Sequence, residues 1–450
     1  MRNDEYMRRA IELARRGEGL VNPNPMVGCV VVKNGRIVAE GWHEHYGGYH
    51  AERNALLNCT EDVTGAELYV TLEPCCHTGK TPPCTDIIIE RGIGKVYVGS
   101  DDPNPLVAGR GIEILKAAGI EVETHVLKDE CDALNEIFFH YITTGMPFVA
   151  MKYAMTLDGK IVSALHPVSA AARQPRHFPP STEECGEQEG GMQPVSAAAR
   201  QPRHFPSSTE ECGEQEGGMP PQIITGPEAH AHVHQLRKQF AGILVGIGTV
   251  LADDPMLNCR LSERSEKPEN PDPAPMAITD NTGETSHDDT ENYDPTRIIM
   301  DSHLRIPLTS QIVRTAKKIP TIVAYLPEKI DSEKEKSLTE AGIQLLPLQP
   351  DQNGRIDIEE LFQELGEQGI DSILVEGGSA IHGSLLEKPH LINRVYAYIA
   401  PKIIGGAEAL SPVGGAGISQ MADALKLQNV ELIPLGEDLC ITGIIGPRGL

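Results

Sequence analysis

The sequence predicts two successive α/β domains, and three observations carry that prediction. At 450 residues the chain exceeds one ordinary core, since about 150 residues is the usual domain unit. Apolar residues make up 40% of it, enough to fill real cores. In both halves, short runs rich in Val, Ile and Tyr alternate with segments of helical spacing, the pattern of strands layered against helices.

The opening segment carries Tyr6, Ala10, Ile11, Leu13 and Ala14 at helical spacing, and Gly17 and Gly19 end it. VNPNPMVG reads as an Asn/Pro-rich loop. CVVVKNGRIVAEGWH is a hairpin, two apolar runs turned at Asn34-Gly35. A helix over about 51–57, a strand over 67–72, a Cys/Pro/Gly-rich loop over 73–83, a helix near 85–91 and a strand over 95–100 follow. GIEILKAAG is a further helix and EVETHVL a further strand, which closes the first domain over 1–146.

The second domain, 147–450, opens with the strand PFVAMKYAMTLDGKI and resumes at ITGPEAHAHVHQLRKQF, where Pro227 stands in a helix's first turn. AGILVGIGTVLADDP is a buried strand followed by a Gly-containing loop. RIIMDS, TIVAYL, SILVEGG and RVYAYIAPKII are further strands, with a helix near 358–368. Two stretches interrupt this pattern. Residues 167–193 recur as 194–220 with two differences, Pro180 to Ser207 and Gln193 to Pro220. Two copies without apolar periodicity cannot build a solenoid, so a solvated insertion is expected at 167–220. Residues 262–296, rich in Pro, Asp, Glu, Asn and Thr, form a second insertion of the same character, and both are expected to be disordered or mobile.

The net charge of −25 argues against nucleic acid or an anionic membrane as partner, because phosphate binding needs clustered Lys and Arg. The two insertions supply −12 of it, −8 from 262–296 and −4 from 167–220. Ten cysteines in 450 residues suggest free thiols and a metal site, not a disulfide scaffold. With no apolar signal core at the N-terminus and no run of about 18 apolar residues, the chain reads as cytoplasmic.

The chemistry is carried by Tyr49-His50-Ala51-Glu52 and by Glu73-Pro74-Cys75-Cys76-His77-Thr78-Gly79-Lys80-Thr81-Pro82-Pro83-Cys84. His50 with two thiolates makes an N/S₂ donor set that leaves one tetrahedral position of a zinc ion open for water. Zinc lowers that water's pKa towards about 7. Glu52, two residues from the imidazole, can relay protons from water to the leaving amine, the H-x-E arrangement of zinc deaminases. Cys75 and Cys84 are taken as the thiolates. Their separation is longer than the P-C-x-x-C of simple deaminases, and Cys76 is the rival ligand. Pro82-Pro83-Cys84-Thr85 puts Cys84 at a helix N-terminus, where a thiolate is favoured. A closed structural zinc with His77 as fourth ligand is the other alternative, and it leaves Glu52 without a task.

These motifs, with DDPNPLVAGRG (101–111), KYAMTLDGKI (152–161), GIGTVLADDP (246–255), MDSHLRIP (300–307), VEGG (375–378) and YIAPKIIGG (398–406), resemble the bifunctional riboflavin biosynthesis proteins. Those are diaminohydroxyphosphoribosylaminopyrimidine deaminase/5-amino-6-(5-phosphoribosylamino)uracil reductases. The resemblance covers nearly the whole chain outside the insertions, and the family has the longer Cys-to-Cys spacing. It implies a cytidine-deaminase-like α/β/α domain followed by a dihydrofolate-reductase-like α/β domain. The first would use Zn²⁺, one per chain, to deaminate 2,5-diamino-6-ribosylamino-4(3H)-pyrimidinone 5′-phosphate. The second would use NADPH to reduce the ribosyl group, giving 5-amino-6-ribitylamino-uracil 5′-phosphate.

In the first site Asn24, His43, Lys80 and Asn104 are candidates for holding the pyrimidine and ribose phosphate. Lys80 is equally readable as a solvated surface cation, and Asn24 and His43 as turn or strand-end residues. His45 and His77 are read as bystanders. In the second site, Gly246-Ile247-Gly248-Thr249 lacks the spacing of a Rossmann fingerprint. The resemblance assigns Ala154, Ile223, Thr249, Asp253, Ser302 and a loop of Gly378, Ser379, Ala380, Ile381, His382, Gly383 and Ser384 to NADPH. Gly377 and Gly378 would let backbone N–H groups approach phosphate ahead of a helix. Pro221, Arg237, Leu257, Arg260 and Glu376 go to the substrate, the two arginines being able to pair with its phosphate. Arg237 also reads as an exposed cation near a helix end.

One departure stands out. Relatives carry S-G-E-S-Q-W before the I-T-G-P segment, whereas the duplicated insertion occupies that place here, leaving Pro221 and Ile223, and the only Trp is Trp42. Two rival readings therefore stay open at this point: a deaminase with an inactive second half, and a nucleoside or nucleic-acid base deaminase. The expected partners are a phosphorylated pyrimidine and further copies of the chain.

Overall fold

A computed structural model describes residues 3–161, 224–259, 294–329 and 332–445. The duplicated segment, Pro221, Ile223, Arg260 and most of the acidic insertion lie outside the described residues.

The N-terminal half contains α1 (Asn3–Ala14), β1 (Gly28–Lys33), β2 (Arg36–Trp42), α2 (Ala51–Asn58), β3 (Glu67–Leu72), α3 (Cys84–Glu90), β4 (Lys95–Ser100), α4 (Arg110–Ala117), β5 (Glu121–Glu123), α5 (Lys128–Leu134) and α6 (Glu136–Thr144). Its sheet runs β2-β1-β3-β4-β5. The β1 strand is antiparallel to β2 and β3, and the remaining pairs are parallel. The hairpin turns at Asn34 (φ 53) and Gly35 (φ 74), the two positive φ values that a type I′ turn requires. Alternation along β1 splits the core. Cys29 and Val31 pack with residues of α2, α3 and α4, whereas Val30 and Val32 pack with α1 and with Cys131 of α5. Helices thus cover both faces.

The second sheet comprises β6 (Phe148–Thr156), β7 (Gly242–Gly246), β8 (Thr296–Met300), β9 (Thr321–Tyr325), β10 (Gln344–Pro347), β11 (Ser372–Val375), β12 (Arg394–Ala400), β13 (Leu427–Leu435) and β14 (Asp438–Ile445). Among them lie α7 (Pro227–Gln239), α8 (Ile247–Asp253), α9 (Gln311–Arg314), α10 (Ser332–Glu340), α11 (Ile358–Glu367) and α12 (Ser379–Glu387). The order is β10-β9-β8-β7-β11-β6-β12-β14-β13, parallel from β10 through β12 and antiparallel at the last two strands. The central strands are buried on both faces, which is why they read as unbroken apolar runs.

Four readings of the sequence are corrected here. EVETHVL yields only three strand residues, because His125 (φ 66) and Leu127 (φ 53) take left-handed backbone that no strand continues through. The Gly-containing loop after β7 is the helix α8. The expected loop 378–384 is the first part of α12, entered at Gly378. At the end of the acidic insertion, Asp294 accepts a hydrogen bond from the Cys259 N–H (2.8 Å) and Thr296 already belongs to β8.

The halves are docked through polar contacts. Asn22 donates to both carboxylate oxygens of Asp371 (3.1 and 2.9 Å), Gln239 to Glu18 (2.9 Å), and the Tyr141 hydroxyl to the Gly366 carbonyl (2.9 Å). Arg394 meets Glu136 at 2.7 Å. Among the described residues, no helix is long and apolar enough to cross a membrane.

Candidate active sites

The first site is assembled where two helices begin beside the carboxyl end of β3. His50 is the N-cap residue of α2 and Cys84 the first residue of α3. Cys75 lies in the loop after β3. That loop folds back onto α3, because the N–H groups of Cys84 and Thr85 both donate to the Cys75 carbonyl (3.1 and 3.2 Å) and Cys84 N–H also faces the Cys75 sulfur at 3.4 Å. The long spacing between the two cysteines therefore closes into a small ring.

His50 Nδ1 is 3.4 Å from Cys75 Sγ and 3.5 Å from Cys84 Sγ. Tetrahedral bonds of about 2.1 Å to nitrogen and 2.3 Å to sulfur would set such donors about 3.6 Å apart, so the donor set fits zinc. These three are the one His/Cys/Asp/Glu group able to hold a metal ion among the described residues. Cys76 turns away, its sulfur directed at the Leu106 carbonyl (3.8 Å).

Electrostatics agree with the donor chemistry. The hydrogen bond between the thiols pulls Cys75 down to about 4 and pushes Cys84 up, with burial raising both. His50 is raised, chiefly by its contact with Cys75. Glu52 is 3% exposed, and burial followed by the negative Cys75 pushes its carboxyl up, which favours a group able to carry a proton.

A cavity of about 260 Å³ contains His50, Glu52 and Cys75, and Asn24, His43, Lys80 and Asn104 all line it. Burial holds His43 near 4, so its ring is neutral. Its Nδ1 donates to the Tyr49 carbonyl (3.0 Å) and its Nε2 accepts from Asn24 Nδ2 (3.1 Å). Lys80 lies at the rim with Nζ 3.9 Å over the Tyr46 ring. Two further residues, Asp102 and Glu73, were given no role in the sequence, and a third, His77, was read as a bystander. His77 lines the cavity, and its buried Nδ1 has no hydrogen-bond partner among the described residues. Asp102 also lines it, its carboxyl pushed up to about 6 by burial. Glu73 accepts from the N–H groups of Gly109, Gly111 and Ile112 (2.9, 3.0 and 3.3 Å), tying the cysteine loop to the start of α4. An acidic residue just before Pro-Cys was the only available signal.

The second group of residues gathers at the carboxyl ends of the parallel strands, where β11 inserts between β6 and β7. Open α/β sheets bind ligands at such places. Ala154 stands near the end of β6, Thr249 and Asp253 on α8, Ser302 after β8, and Glu376 to Gly378 after β11. A Cβ added to Gly378 would sit 3.8 Å from Thr249 Oγ1, so this helix entry is bare on the side facing α8. Free N–H groups at such an entry suit a phosphate. Within α12, Ser379 and Ile381 are partly buried and Ala380 exposed. His382 is buried with Nδ1 on the Pro412 carbonyl (2.9 Å). Gly383 packs against Gly414, and Ser384 accepts from Arg355 (3.3 Å).

Arg237 is not an exposed cation. It donates to both oxygens of Glu376 (2.8 and 2.9 Å) and to the Asn258 carbonyl (3.0 Å), so only its remaining donors are available to a phosphate. Leu257 is 4% exposed and packed in the core, so its side chain is not presented to a ligand. The unnoticed member is Lys152, 3.5 Å from Glu376. A lysine within the apolar run of β6 was its only mark.

Comparison with known proteins bears on both sites. Residues 1–100 match the cytidine and deoxycytidylate deaminase zinc-binding region, and residues 214–441 match the RibD C-terminal domain. The riboflavin biosynthesis protein RibD of Actinobacillus pleuropneumoniae is 45% identical over 443 residues, covering 98% of this chain and 95% of that one. RibD of Escherichia coli K12 is 33% identical over 441 residues, covering 98% and 99%. The Acinetobacter baumannii RibD structure (form 2) superposes with a TM-score of 0.72 at 30% identity and 98% coverage of both chains. A deaminase/reductase from Thermotoga maritima does so at 0.69 and 32%, again with 98% coverage of both. A match of both halves favours a two-activity enzyme over an inert second half and over a base editor. The chain belongs to the RibD family of bifunctional deaminase/reductases of riboflavin biosynthesis.

Proposed function

We propose that the N-terminal half hydrolytically deaminates 2,5-diamino-6-ribosylamino-4(3H)-pyrimidinone 5′-phosphate and that the C-terminal half reduces the ribosyl group of the product with NADPH. The observation that carries this reading is the convergence of His50, Cys75, Cys84 and Glu52 beside one cavity that also takes in Asn24, His43, Lys80 and Asn104.

His50, Cys75 and Cys84 would hold zinc, which when bound supplies the Lewis acidity that activates water. Glu52 carries the two water protons in turn, the first to the ring nitrogen and the second to the leaving amine. The neutral His43 holds the Asn24 amide in place, so that the amide oxygen and remaining N–H of Asn24 are presented to the pyrimidine. Lys80 at the rim offers a cation for the phosphate. In the second half, Gly378 and the start of α12, with Thr249, Asp253, Ser302 and Ala154, would bind NADPH and hold it in position. Glu376 orients Lys152 and Arg237 beside the substrate. Arg260, Pro221 and Ile223 are assigned to this half by family resemblance only.

The test separates the steps. Purified protein should contain about one zinc per chain and release ammonia from the diaminopyrimidinone. Chelation should abolish ammonia release while NADPH oxidation on the deaminated product persists. Loss of both activities on chelation, or neither, would refute the assignment of the two halves.

A second experiment bears on the ligands. Cys84→Ser should lower zinc content by at least about tenfold, since loss of one of only three protein ligands leaves a set too small for tight binding. Cys76→Ser should retain the metal. Retention in Cys84→Ser with loss in Cys76→Ser would reverse the choice.

A further inference from the structure

The loop between α1 and β1 belongs in sequence to the deaminase but is held in large part by the other half. Gln239 of α7 donates to Glu18 (2.9 Å), and a Cβ on Gly19 would collide with the Lys238 carbonyl. Asn22 donates to both oxygens of Asp371 (3.1 and 2.9 Å). Two residues later Asn24 reaches His43 and the cavity. The loop's far end is fixed by Asn135, which exchanges two hydrogen bonds with the Met26 backbone (2.8 and 3.0 Å).

Asp371 is built as an anchor. It is 1% exposed. The Ser372 hydroxyl donates to its Oδ1 (2.6 Å), and Ser372 Oγ in turn accepts from the Ala241 N–H (3.0 Å). The Asp371 carbonyl accepts from the Phe148 N–H (2.7 Å). The residue is therefore held, by its carboxylate through Ser372 and by its backbone carbonyl, to the starts of β6, β7 and β11, the middle of the second sheet. A buried carboxylate whose partners are a neutral amide and a hydroxyl is costly for stability alone, and among the described residues its one hydrogen-bond partner outside its own half is Asn22, in the loop that carries Asn24.

We propose that Asp371, in the reductase half, is a positioning residue for the deaminase reaction, acting through Asn22 to set where Asn24 and His43 meet the substrate. The inference rests on the deaminase assignment above. It makes the second domain a structural part of the first domain's pocket.

The pair can be reversed chemically, which gives a test in the full chain. Asn22→Asp sets carboxylate against carboxylate. Adding Asp371→Asn restores the bond with donor and acceptor exchanged, and the new amide oxygen still accepts from Ser372. Deamination by Asn22→Asp should show KM raised about tenfold, as for directly coupled neighbours, with kcat within about threefold of wild type. The double variant should return KM to within about threefold of wild type. Zinc content and NADPH oxidation on the deaminated product should hold steady throughout.

Unchanged KM in Asn22→Asp, no recovery in the double variant, or a parallel fall of both activities would each overturn the proposal. Hydrogen exchange over 18–27 reads the same coupling without substrate, rising in the single variant and returning in the double. Exchange that follows this cycle in a protein whose wild type releases no ammonia would overturn the deaminase assignment and leave the coupling standing.

Discussion

Glu52→Gln should lower deamination by about 10²–10⁴-fold, the usual cost of losing a positioned proton carrier, while leaving zinc content and reductase activity near wild type. Gln keeps the size of Glu and its capacity for hydrogen bonds, so packing at a site only 3% exposed is conserved. It cannot accept and return a proton. The residue stands on the first turn of α2, two residues after the cap residue His50, so the metal ligand and the proton carrier are placed by one rigid element. Burial and the charge on Cys75 raise the Glu52 pKa, which brings the carboxyl nearer to working pH and improves it in both directions of transfer. Ammonia release and metal content measured on the same preparation check the prediction. A variant with unaltered ammonia release would remove Glu52 from the chemistry, and one that lost its zinc would show a structural role.

Much of this site was legible because its parts are local. Two strands of the first sheet, 67–72 and 95–100, follow directly from their apolar runs, and Asn34-Gly35 from its turn chemistry. The choice between Cys76 and Cys84 needed geometry as well as spacing, since it depends on which sulfur the loop turns inward. What escaped was set by tertiary contacts. In the segment covering α5 and α6 the polar residues KDECDALNE gave no clean stripe, yet Asn135 and Glu136 there hold the Met26 backbone and Arg394. The final strand pair was hidden for another reason. Five consecutive residues of β13 are exposed and its pairing slips between Gln428 and Glu431, so no alternation survives. The helices α8 and α12 are preceded by Gly246 and Gly377, which pack against Ile381, and their composition reads as loop. Arg297 escaped most completely. It is fully buried in β8 and its guanidinium is satisfied by Thr321, Thr315 and backbone carbonyls, partners scattered along the chain.

The reductase half depends in the same way on a buried charge cluster. Replacing Glu376 by Gln should reduce NADPH oxidation by about 10²-fold, the scale of loss when reacting groups are displaced by about 1 Å, and should destabilise this half by about 3–5 kcal/mol. The carboxylate has 9% of its side chain exposed and neutralises two cations, Arg237 at 2.8 Å and Lys152 at 3.5 Å. With the charge removed, both cations remain buried facing an amide, and their repulsion is no longer offset. Burial alone would raise the Glu376 pKa, but Lys152 and Arg237 outweigh it and hold it at about 2. A folded value below the unfolded one of about 4.3 stabilises the protein at neutral pH. That contribution is complete above about pH 5 and is lost as pH falls from about 4 towards 2. Wild-type melting should therefore drop across that interval, and Glu376→Gln, already lower at pH 7, should drop less. Deamination at neutral pH and moderate temperature is the internal control and should persist in the variant. If NADPH oxidation survived Glu376→Gln unchanged, the cluster would be a packing device with no part in holding substrate, and Lys152 and Arg237 would leave the reductase site with it.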